Sequence, residues 1–356
     1  MLVVQHIGLG LGRIQHWHDG LGEFSRQLAR ALAAQAPRLR EELGWQLHLH
    51  LPRRWHGTFG DDVGYLDTST TQRWLHLRNT KFALWHTLHQ HNRLKAPIGT
   101  MRCVETVHDL NYLHLKQGAK IVRYRQRQLR RLTRCDTVVA ITQFVAADLA
   151  RELKQLSTPL KVIYNGATDL TSAPRTAVEG LGSAPFLLHI SRMAPSKNII
   201  ALLDLAASWP EQQIVLAGAD SSYSTAVKHL VAQRGLTNVT VRLNLSEAQK
   251  AWLYANCLGF LFPSIAEGFG LPPIEAMYFG KPVFLSRLTS LPEIGGAAAY
   301  YFDDFRGPGM RSVVQAALET ASMPERAETI AKHARSFSWH RCAKAYIALY
   351  KHLLES

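Results

Sequence analysis

Residues 263–277, PSIAEGFGLPPIEAM, concentrate residue types that could bind a charged or hydroxylated ligand. Two carboxylates, Glu267 and Glu275, stand eight positions apart, with two glycines and a Pro-Pro pair between them. Proline is tolerated in the first turn of a helix, so PPIEAM predicts a helix whose free N–H groups point back at the glycines. Such helix starts bind anions. Two interpretations stay open: a loop that holds a phosphorylated or hydroxyl-rich ligand, and a helix start with two solvated glutamates.

The apolar run before this loop decides where it lies. Residues 258–264, LGFLFPS, have the composition of a short buried strand. A loop that follows a buried parallel strand lies at the carboxyl edge of the sheet, where open α/β folds bind their ligands. Further strands are predicted at residues 2–9, 45–52, 102–113, 160–170 and 212–220. Helices capped by Thr142 and Ser246 follow two other apolar runs.

The stretch around the two glutamates resembles the E-x7-E motif of the family 4 retaining glycosyltransferases. GKPVFLS (280–286) and LPEIGGAAAYYFDD (291–304) are similar to the elements that follow it there. The resemblance implies an α/β fold of two Rossmann-like domains facing each other across a cleft, the GT-B fold. The expected boundaries are an acceptor-binding domain at 1–170, a linker at 171–185, a nucleotide-sugar-binding domain at 186–336, and a helix at 337–356 that returns to the first domain.

A second cluster of charges follows the strand that begins at Phe186. Arg192 and Lys197 stand five residues apart, with Asn198 at the start of the next helix. Two cations beside a helix N-terminus suit a diphosphate, although two ordinary surface cations would give the same pattern. The S-R-x4-K-N spacing resembles the diphosphate clamp of the family, which favours binding.

The first domain contributes two more motifs. The G-L-G at Gly20 and Gly22 begins a predicted helix, where a backbone without side chains can approach a phosphate or a sugar. Alone this signal is weak, but GLGEFSRQL is similar to the glycine-rich loop of the family. V-H-D ends the strand at 102–113, and the resemblance puts His108 beside the donor sugar.

The resemblance also implies the role of each residue. Glu267 would hold sugar hydroxyls and Glu275 the ribose hydroxyls, while Arg192 and Lys197 would stabilise the leaving diphosphate without a metal. Retention of configuration is implied as well. The residues expected to act in catalysis are His108, Glu267, Arg192 and Lys197. The residues expected to bind the nucleotide sugar are Gly20, Gly22, Arg192, Lys197, Gly268, Phe269, Gly270, Leu271 and Glu275.

The formal net charge of +14 is concentrated in the first half of the chain. Residues 1–178 contain 25 Lys and Arg against 13 Asp and Glu. The densest stretch, Lys116 to Arg134, has eight cations and no acid. A basic helix binds anionic lipid, nucleic acid or an anionic substrate, or is a solvated surface. No aromatic RNA-binding motif accompanies the charge. The hypothesis is an anionic membrane surface, with no nucleic-acid partner.

Composition limits the location and the chemistry. Four cysteines without a C-x-x-C pair predict reduced thiols in a cytosolic protein. The start of the chain predicts a strand rather than a signal peptide. Histidines at 48, 50, 76, 86, 89 and 91 lack the spacing of a metal site, so neither a metal nor another cofactor is expected. The expected location is cytoplasmic, peripheral at the inner face of the plasma membrane.

The predicted function is transfer of a hexosyl group to a saccharide or lipid-linked saccharide acceptor in lipopolysaccharide or O-antigen synthesis. GDP-mannose is the first donor considered, with UDP- or dTDP-sugars as the alternative. Ala167-Thr168 and Ala297 depart from the usual pattern of the family and leave the donor open. Two further alternatives are a sugar-nucleotide epimerase and a non-catalytic basic protein that binds membranes or nucleic acid on a degenerate transferase fold.

Overall fold

The structure is a computed structural model that describes residues 3–14, 17, 20–112, 118–182, 184–321 and 324–356. The chain divides into two α/β units. The first comprises Met1–Gly166 together with Ser338–Ser356, and the second comprises Ala167–Phe337. Lys116 and Gln117, at the start of the predicted basic stretch, lie outside the described residues. Nowhere in the described ranges is a helix both long enough and apolar enough to cross a bilayer.

The first unit alternates strands and helices along most of its length. Its elements are β1 Gln5–Gly10, α1 Gly20–Ala33, α2 Ala36–Leu43, β2 Trp45–Leu51, β3 Gly64–Asp67, β4 Phe82–Thr87, β5 Arg102–Val107, α3 Ala119–Leu132, β6 Thr137–Ala140, α4 Gln143–Glu152, β7 Leu160–Val162 and α12 Trp339–Glu355. Among the described residues the strands form one seven-stranded sheet in the order β3-β2-β1-β4-β5-β6-β7. Every pair in it is parallel. The order of the chain therefore reverses between β1 and β4.

One face of this sheet is covered by α1 and α12. His86 of β4 is hydrogen-bonded to the hydroxyl of Tyr350 (2.6 Å) and to that of Thr106 (2.8 Å). Thr106 is bonded in turn to Tyr346 (2.8 Å). These groups are buried, so the polar atoms satisfy one another in a core that is otherwise apolar.

The other face is covered by α3 and by irregular chain around His76. Trp85 and Cys103 are partners in the β4·β5 register, so Trp85 and Glu105 point to the side opposite His86. The ring of His76 packs against Trp85 at 5.5 Å between centroids. Arg131 of α3 forms a two-point ion pair with the buried carboxylate of Glu105 (2.6 and 2.7 Å). The segment at His76 and helix α3 therefore lie on the same side of the sheet.

The second unit repeats the alternation. Its elements are β8 Phe186–Ser191, α5 Ile199–Ser208, β9 Gln213–Gly218, α6 Ser222–Gln233, β10 Val239–Leu243, α7 Glu247–Asn256, β11 Gly259–Phe262, α8 Leu271–Tyr278, β12 Val283–Ser286, α9 Leu291–Gly295, β13 Tyr300–Phe302, α10 Gly307–Ala321 and α11 Pro324–Ala334. Within the described ranges the sheet has six parallel strands in the order β10-β9-β8-β11-β12-β13. Here the order reverses between β8 and β11.

The two parallel sheets confirm the predicted α/β fold class. The caps at Thr142 and Ser246 are confirmed too, since each hydroxyl accepts a backbone N–H three residues on. The sequence indicated neither β4, although it lies in the middle of the first sheet, nor the edge strand β3.

Candidate active site

In the second unit, the loops after β8 and β11 lie side by side at the point where the strand order reverses. Lys197 ends a short 3-10 helix, and Asn198, with φ of +52°, begins α5. Asparagine is among the residues that tolerate this left-handed conformation. The N–H of Ile265 donates to the carbonyl of Ser196 at 2.8 Å, which joins the two loops directly. Ligands of open α/β sheets bind at such reversals.

The two loops meet in an ion pair between Lys197 and Glu267. The side chains are only 16% and 11% exposed, and the ammonium also lies 5.4 Å from the centroid of the Phe262 ring. A largely buried ion pair holds its charges in one geometry because neither group can be solvated independently. The structure thus brings together one cation of the predicted clamp and one acid of the predicted pair.

The backbone around Glu267 is held by two hydroxyls that follow β12. The N–H of Glu267 donates to Oγ1 of Thr289 at 3.1 Å. The hydroxyl of Ser290 donates to the carbonyls of Glu267 and Phe269 at 3.1 and 3.2 Å. Thr289 has φ of +54°, which is strained for a β-branched residue. We did not predict this support from the sequence, and the only local signal is a Thr-Ser pair shortly after a strand.

Helix α8 begins where the sequence predicted a helix start. Gly270 has φ of +108°, a conformation that favours glycine, and Leu271 opens the helix with Pro272 and Pro273 in its first turn. Phe269 and Gly270 are buried, whereas Gly268 and Leu271 are half-buried. A helix start of this kind can attract a phosphate through its dipole and its remaining free N–H groups, although Pro272 and Pro273 have no N–H of their own.

Glu275 lies one turn further along α8. The phenol of Tyr254, which is fully buried, donates to Oε2 of Glu275 at 2.8 Å. Burial raises the pKa of Tyr254 far above its usual range, so the phenol keeps its proton and remains a donor. One oxygen of the carboxylate is therefore fixed from within the unit. Tyr254 was not singled out from the sequence.

The second cation of the predicted clamp, Arg192, differs from Lys197 in its surroundings. Its side chain is exposed and makes no hydrogen bond or ion pair with any residue that the structure describes. An unpaired guanidinium on the loop after β8 is available to a ligand.

A buried histidine ties the two strands under this site together. His189 of β8 donates from Nδ1 to the carbonyl of Leu261 at 2.8 Å, and its Nε2 is 2.7 Å from the hydroxyl of Ser191. Burial, together with the charge of Lys197, lowers the pKa of His189 to about 4. The ring is therefore neutral near pH 7.

In the first unit, His108 follows β5 and is almost fully buried. Its Nε2 donates to the carbonyl of Leu88 at 2.9 Å, and its backbone N–H donates to Oε1 of Gln90 at 3.0 Å. The edge contact with Phe24 of α1 brings the ring centroids to 4.4 Å. Burial lowers the pKa of His108 to about 3, so the imidazole is neutral with its proton on Nε2. Nδ1 is left as an acceptor.

Gly20 and Gly22 form the first turn of α1, as predicted, but their surroundings differ. Gly22 is buried and lines a cavity of about 350 Å³, whereas Gly20 is exposed and a Cβ added there would meet nothing within 4 Å. The glycine that the fold requires more strongly lies earlier, at Gly12. It has φ of +81°, and a Cβ there would come within 2.8 Å of the Asn92 side chain.

Two family models match this chain. The model described as Glycosyltransferase Family 4 matches residues 19–169, and the one described as Glycosyl transferases group 1 matches residues 177–306. The chain belongs to the family 4 glycosyltransferases. The second match contains the whole ion-paired site at Lys197 and Glu267.

Curated relatives of this glycosyltransferase include two bacterial enzymes. O-antigen chain mannosyltransferase B of Escherichia coli is 32% identical over 174 residues, which are 47% of this chain and 45% of that protein. O-antigen chain mannosyltransferase RfbU of Salmonella typhimurium is 25% identical over 199 residues, 55% of each chain. The matched part thus spans about half the length of these relatives.

Solved structures share the fold over the whole length of this glycosyltransferase. Sucrose-phosphate synthase from Thermosynechococcus elongatus has a TM-score of 0.73 at 19% identity and covers 99% of each chain. HepE of Anabaena, solved in complex with UDP-glucose, has a TM-score of 0.68 at 16% identity and covers 98% of this chain and 99% of its own. Together with the two parallel sheets, these likenesses identify the GT-B fold.

Proposed function

We propose that this glycosyltransferase transfers a hexosyl group, mannose from GDP-mannose, to a saccharide or lipid-linked saccharide acceptor in lipopolysaccharide or O-antigen synthesis. Two related proteins, of Escherichia coli and Salmonella typhimurium, are O-antigen chain mannosyltransferases, and this supports the choice of sugar. The observation that carries the proposal is the Lys197–Glu267 ion pair beside the start of α8, because it combines groups for a diphosphate and for sugar hydroxyls.

The chemistry follows from these charges. The acceptor oxygen bonds to the anomeric carbon while the bond from that carbon to the diphosphate oxygen breaks, and its electron pair stays on the diphosphate. The acceptor enters on the face from which the diphosphate leaves and passes its proton to the departing phosphate, so configuration is retained. Lys197, Arg192 and the N–H groups near Gly270 stabilise the growing negative charge, and no metal is required.

The other site residues position the substrates in this proposal. Glu267 accepts hydrogen bonds from sugar hydroxyls and Glu275 from the ribose hydroxyls. Residues 268–271 approach the nucleotide through their backbone. His108, neutral with a free Nδ1, would accept a hydrogen bond from the sugar, and Gly20 and Gly22 would let α1 approach the substrates.

A UDP-sugar is the second candidate donor. It is favoured by one observation, the complex of the structurally similar HepE with UDP-glucose. The diphosphate and the ribose are common to both donors, so the residues described above would act alike on either. The nucleobase distinguishes them.

A donor screen tests the proposal. Thermal shifts are measured with GDP-mannose, UDP-glucose, UDP-N-acetylglucosamine, dTDP-rhamnose and the free nucleotides. The matched pair of variants is Glu275→Ala and Glu211→Ala, the latter changing an exposed acid before β9. We expect stabilisation by GDP-mannose that only Glu275→Ala abolishes. Selective stabilisation by a UDP-sugar would change the donor, and no shift with any nucleotide would favour a non-catalytic protein.

Two further measurements check the mechanism. The anomeric configuration of the first product is read by proton NMR, and inversion would contradict the proposed attack on the leaving-group face. Activity is compared with and without a chelator, and we expect no change. A loss restored by a divalent cation would show that Lys197 and Arg192 do not suffice.

We also propose that the protein binds an anionic membrane peripherally, at the inner face of the plasma membrane. The cations of Lys116–Arg134 do not contribute equally. Arg131 and Arg125 are paired with Glu105 and Glu152, whereas Arg123, Arg127 and Arg130 are exposed. The same side of the first sheet carries the segment at His76, whose neighbours Trp74 and Leu77 are 71% and 67% exposed. Exposed tryptophan beside cations is typical of membrane interfaces.

Vesicle binding tests this part of the proposal. Binding to phosphatidylglycerol vesicles should exceed binding to phosphatidylcholine vesicles and should weaken as salt is raised. A triple change of Arg123, Arg127 and Arg130 to Gln should reduce it. Binding that ignores lipid charge and salt would contradict it.

A further inference from the structure

The first unit has a cavity of about 350 Å³ at the reversal of its own strand order. Most of its walls come from the chain that follows β1 and the chain that follows β4, the two strands between which the order reverses, and Arg73 comes from the chain between β3 and β4. This is the position at which open α/β sheets bind ligands. The lining residues are Arg13, Ile14, Leu21, Gly22, Arg73, His89, His91, Asn92, Arg93 and Leu94.

The charge of this cavity is one-sided. Three arginines, Arg13, Arg73 and Arg93, line it, and no carboxylate is among the described residues that line it. The three side chains are exposed and make no hydrogen bond or ion pair within the described part of the chain. Several other arginines of this unit are paired with acids, as Arg131 is with Glu105. Guanidinium groups that converge without an acid repel one another until an anion is bound.

The backbone at the base of the cavity is fixed. The buried amide of Asn92 donates to the carbonyl of Gly10 at 3.1 Å, and its oxygen accepts the N–H of Leu94 at 3.0 Å. Nε2 of His89 is bonded to the carbonyl of Leu11 at 3.1 Å. These bonds join the chain after β4 to the end of β1, so the wall that carries Arg93 is held in place. A preorganised cluster of cations binds an anion without the cost of ordering loops.

We propose that this cavity binds an anionic group, a phosphate or a carboxylate, on the acceptor substrate. That the anion belongs to the acceptor rests on the proposed function, whereas anion binding in the cavity does not. A planar guanidinium matches either oxyanion in a bidentate manner. A phosphate could come from a soluble sugar phosphate or from a lipid, and the two sources present the same oxygens to Arg73 and Arg93.

The test compares two double variants that remove the same charge. Arg73→Gln/Arg93→Gln alters the cavity, and the control variant, Arg30→Gln/Lys154→Gln, alters exposed cations of the same unit outside it. Both are made in a chain that also carries Arg192→Gln and Lys197→Gln, so that anions do not bind at the second unit. Binding of glucose 1-phosphate, glucuronate and glucose is measured by calorimetry. We expect the cavity variant to lose about tenfold or more in affinity for the two anions, and the control variant to keep it. Glucose should not distinguish the variants.

Vesicles of phosphatidylglycerol distinguish a lipid phosphate from a soluble sugar phosphate. A loss of affinity for glucose 1-phosphate in the cavity variant indicates a soluble phosphate, and a loss confined to vesicles indicates a lipid. Unchanged affinity for every anion, or an equal loss in the control variant, would overturn the inference. Nucleotide-sugar binding is measured separately with Arg192 and Lys197 intact. If it is absent while the cavity still binds anions, the proposed function fails and the cavity assignment stands.

Discussion

The ammonium of Lys197 is paired with the carboxylate of Glu267, 70 residues further along the chain. The two residues follow β8 and β11, which are neighbours in the sheet although two other strands separate them in sequence. In the proposed reaction the lysine faces the leaving diphosphate and the acid faces the sugar. The ion pair therefore couples the groups that act on the two sides of the bond that breaks.

Removing the cation should slow turnover more than it weakens binding. Lys197→Ala should lower kcat about 10²–10³-fold, because negative charge builds up on the leaving diphosphate as the transition state forms. Steady-state kinetics with the preferred donor measure this loss. Lys228→Ala, on an exposed part of α6, is the control. A change in KM alone would show that Lys197 does not act at the reacting centre.

Glu267 and Lys197 should not act additively. If they form one functional pair, a double change of both residues to Ala should cost about as much as the worse single change. The double-mutant cycle in kcat/KM measures their coupling. Losses that multiply would mean that the ion pair has no functional role.

The bond between Tyr254 and Glu275 should affect donor affinity. Tyr254→Phe removes the phenol that donates to Oε2 of Glu275, so the carboxylate is less firmly positioned for the ribose. We expect about tenfold weaker nucleotide binding, the size typical for a hydrogen bond to a charged group, with little change in kcat. Calorimetry with the free nucleotide measures it, and Tyr223→Phe on α6 is the control. Unaltered affinity would show that Glu275 does not need this support.

Acid should unfold the first unit at a pH well above the pKa values that its buried histidines have in the folded state. Burial lowers the pKa of His50, His86 and His108 to about 3 and that of His48 to about 4. The unfolded chain takes up these protons at about pH 6.5, so their contribution to stability is complete above that pH and is lost as the pH falls toward 3. Each buried histidine should lower the free energy of unfolding by about 1.4 kcal/mol for every pH unit in that window.

The pH dependence of urea unfolding between pH 7 and 4 measures this effect. His50→Asn should reduce the proton uptake on unfolding by about one, while His229→Asn, which changes an exposed residue, should leave it unchanged. Stability that stays constant down to pH 4 would contradict the prediction.

Two glycines of the first unit should respond oppositely to alanine. A Cβ at Gly8 would overlap the indole of Trp85, so Gly8→Ala should destabilise by about 1–3 kcal/mol. Gly20 opens into space in the first turn of α1, and Gly20→Ala should be neutral or stabilise by about 0.5–1 kcal/mol. Chemical denaturation measures both. If the Gly20→Ala protein keeps its stability but loses activity, the glycine contacts a substrate. A loss of stability would contradict the observation that the space around Gly20 is unoccupied.

The sequence predicted those features that depend on local chemistry. Gly270, with the prolines that follow it, forms the helix start that the pattern indicated, and Thr142 forms the predicted cap. These succeed because a positive φ, a fixed proline ring and a capping hydroxyl act within a few residues.

Features that depend on distant partners were not predictable. Strand β4, FALWHT, lacks the alternation of a strand that is buried on one face, and its His86 is satisfied by Tyr350, 264 residues away. The support of Glu267 by Thr289, and that of Glu275 by Tyr254, likewise arises only after the strands have taken their order in the sheet. Local periodicity carries no information on that order.

Helix α12 has a consequence for synthesis of the protein. Tyr346 and Tyr350 are fully buried against the first sheet, yet the ribosome makes them after the whole second unit. Domains usually fold as they emerge, the N-terminal one first. The first unit cannot cover His86 and Thr106 until residue 350 has left the exit tunnel of the ribosome. The second unit, in contrast, has all of its described strands as soon as residue 302 has left the tunnel. The half of the protein made first is therefore completed last, and a chaperone that shields nascent chains would find its target on that open face.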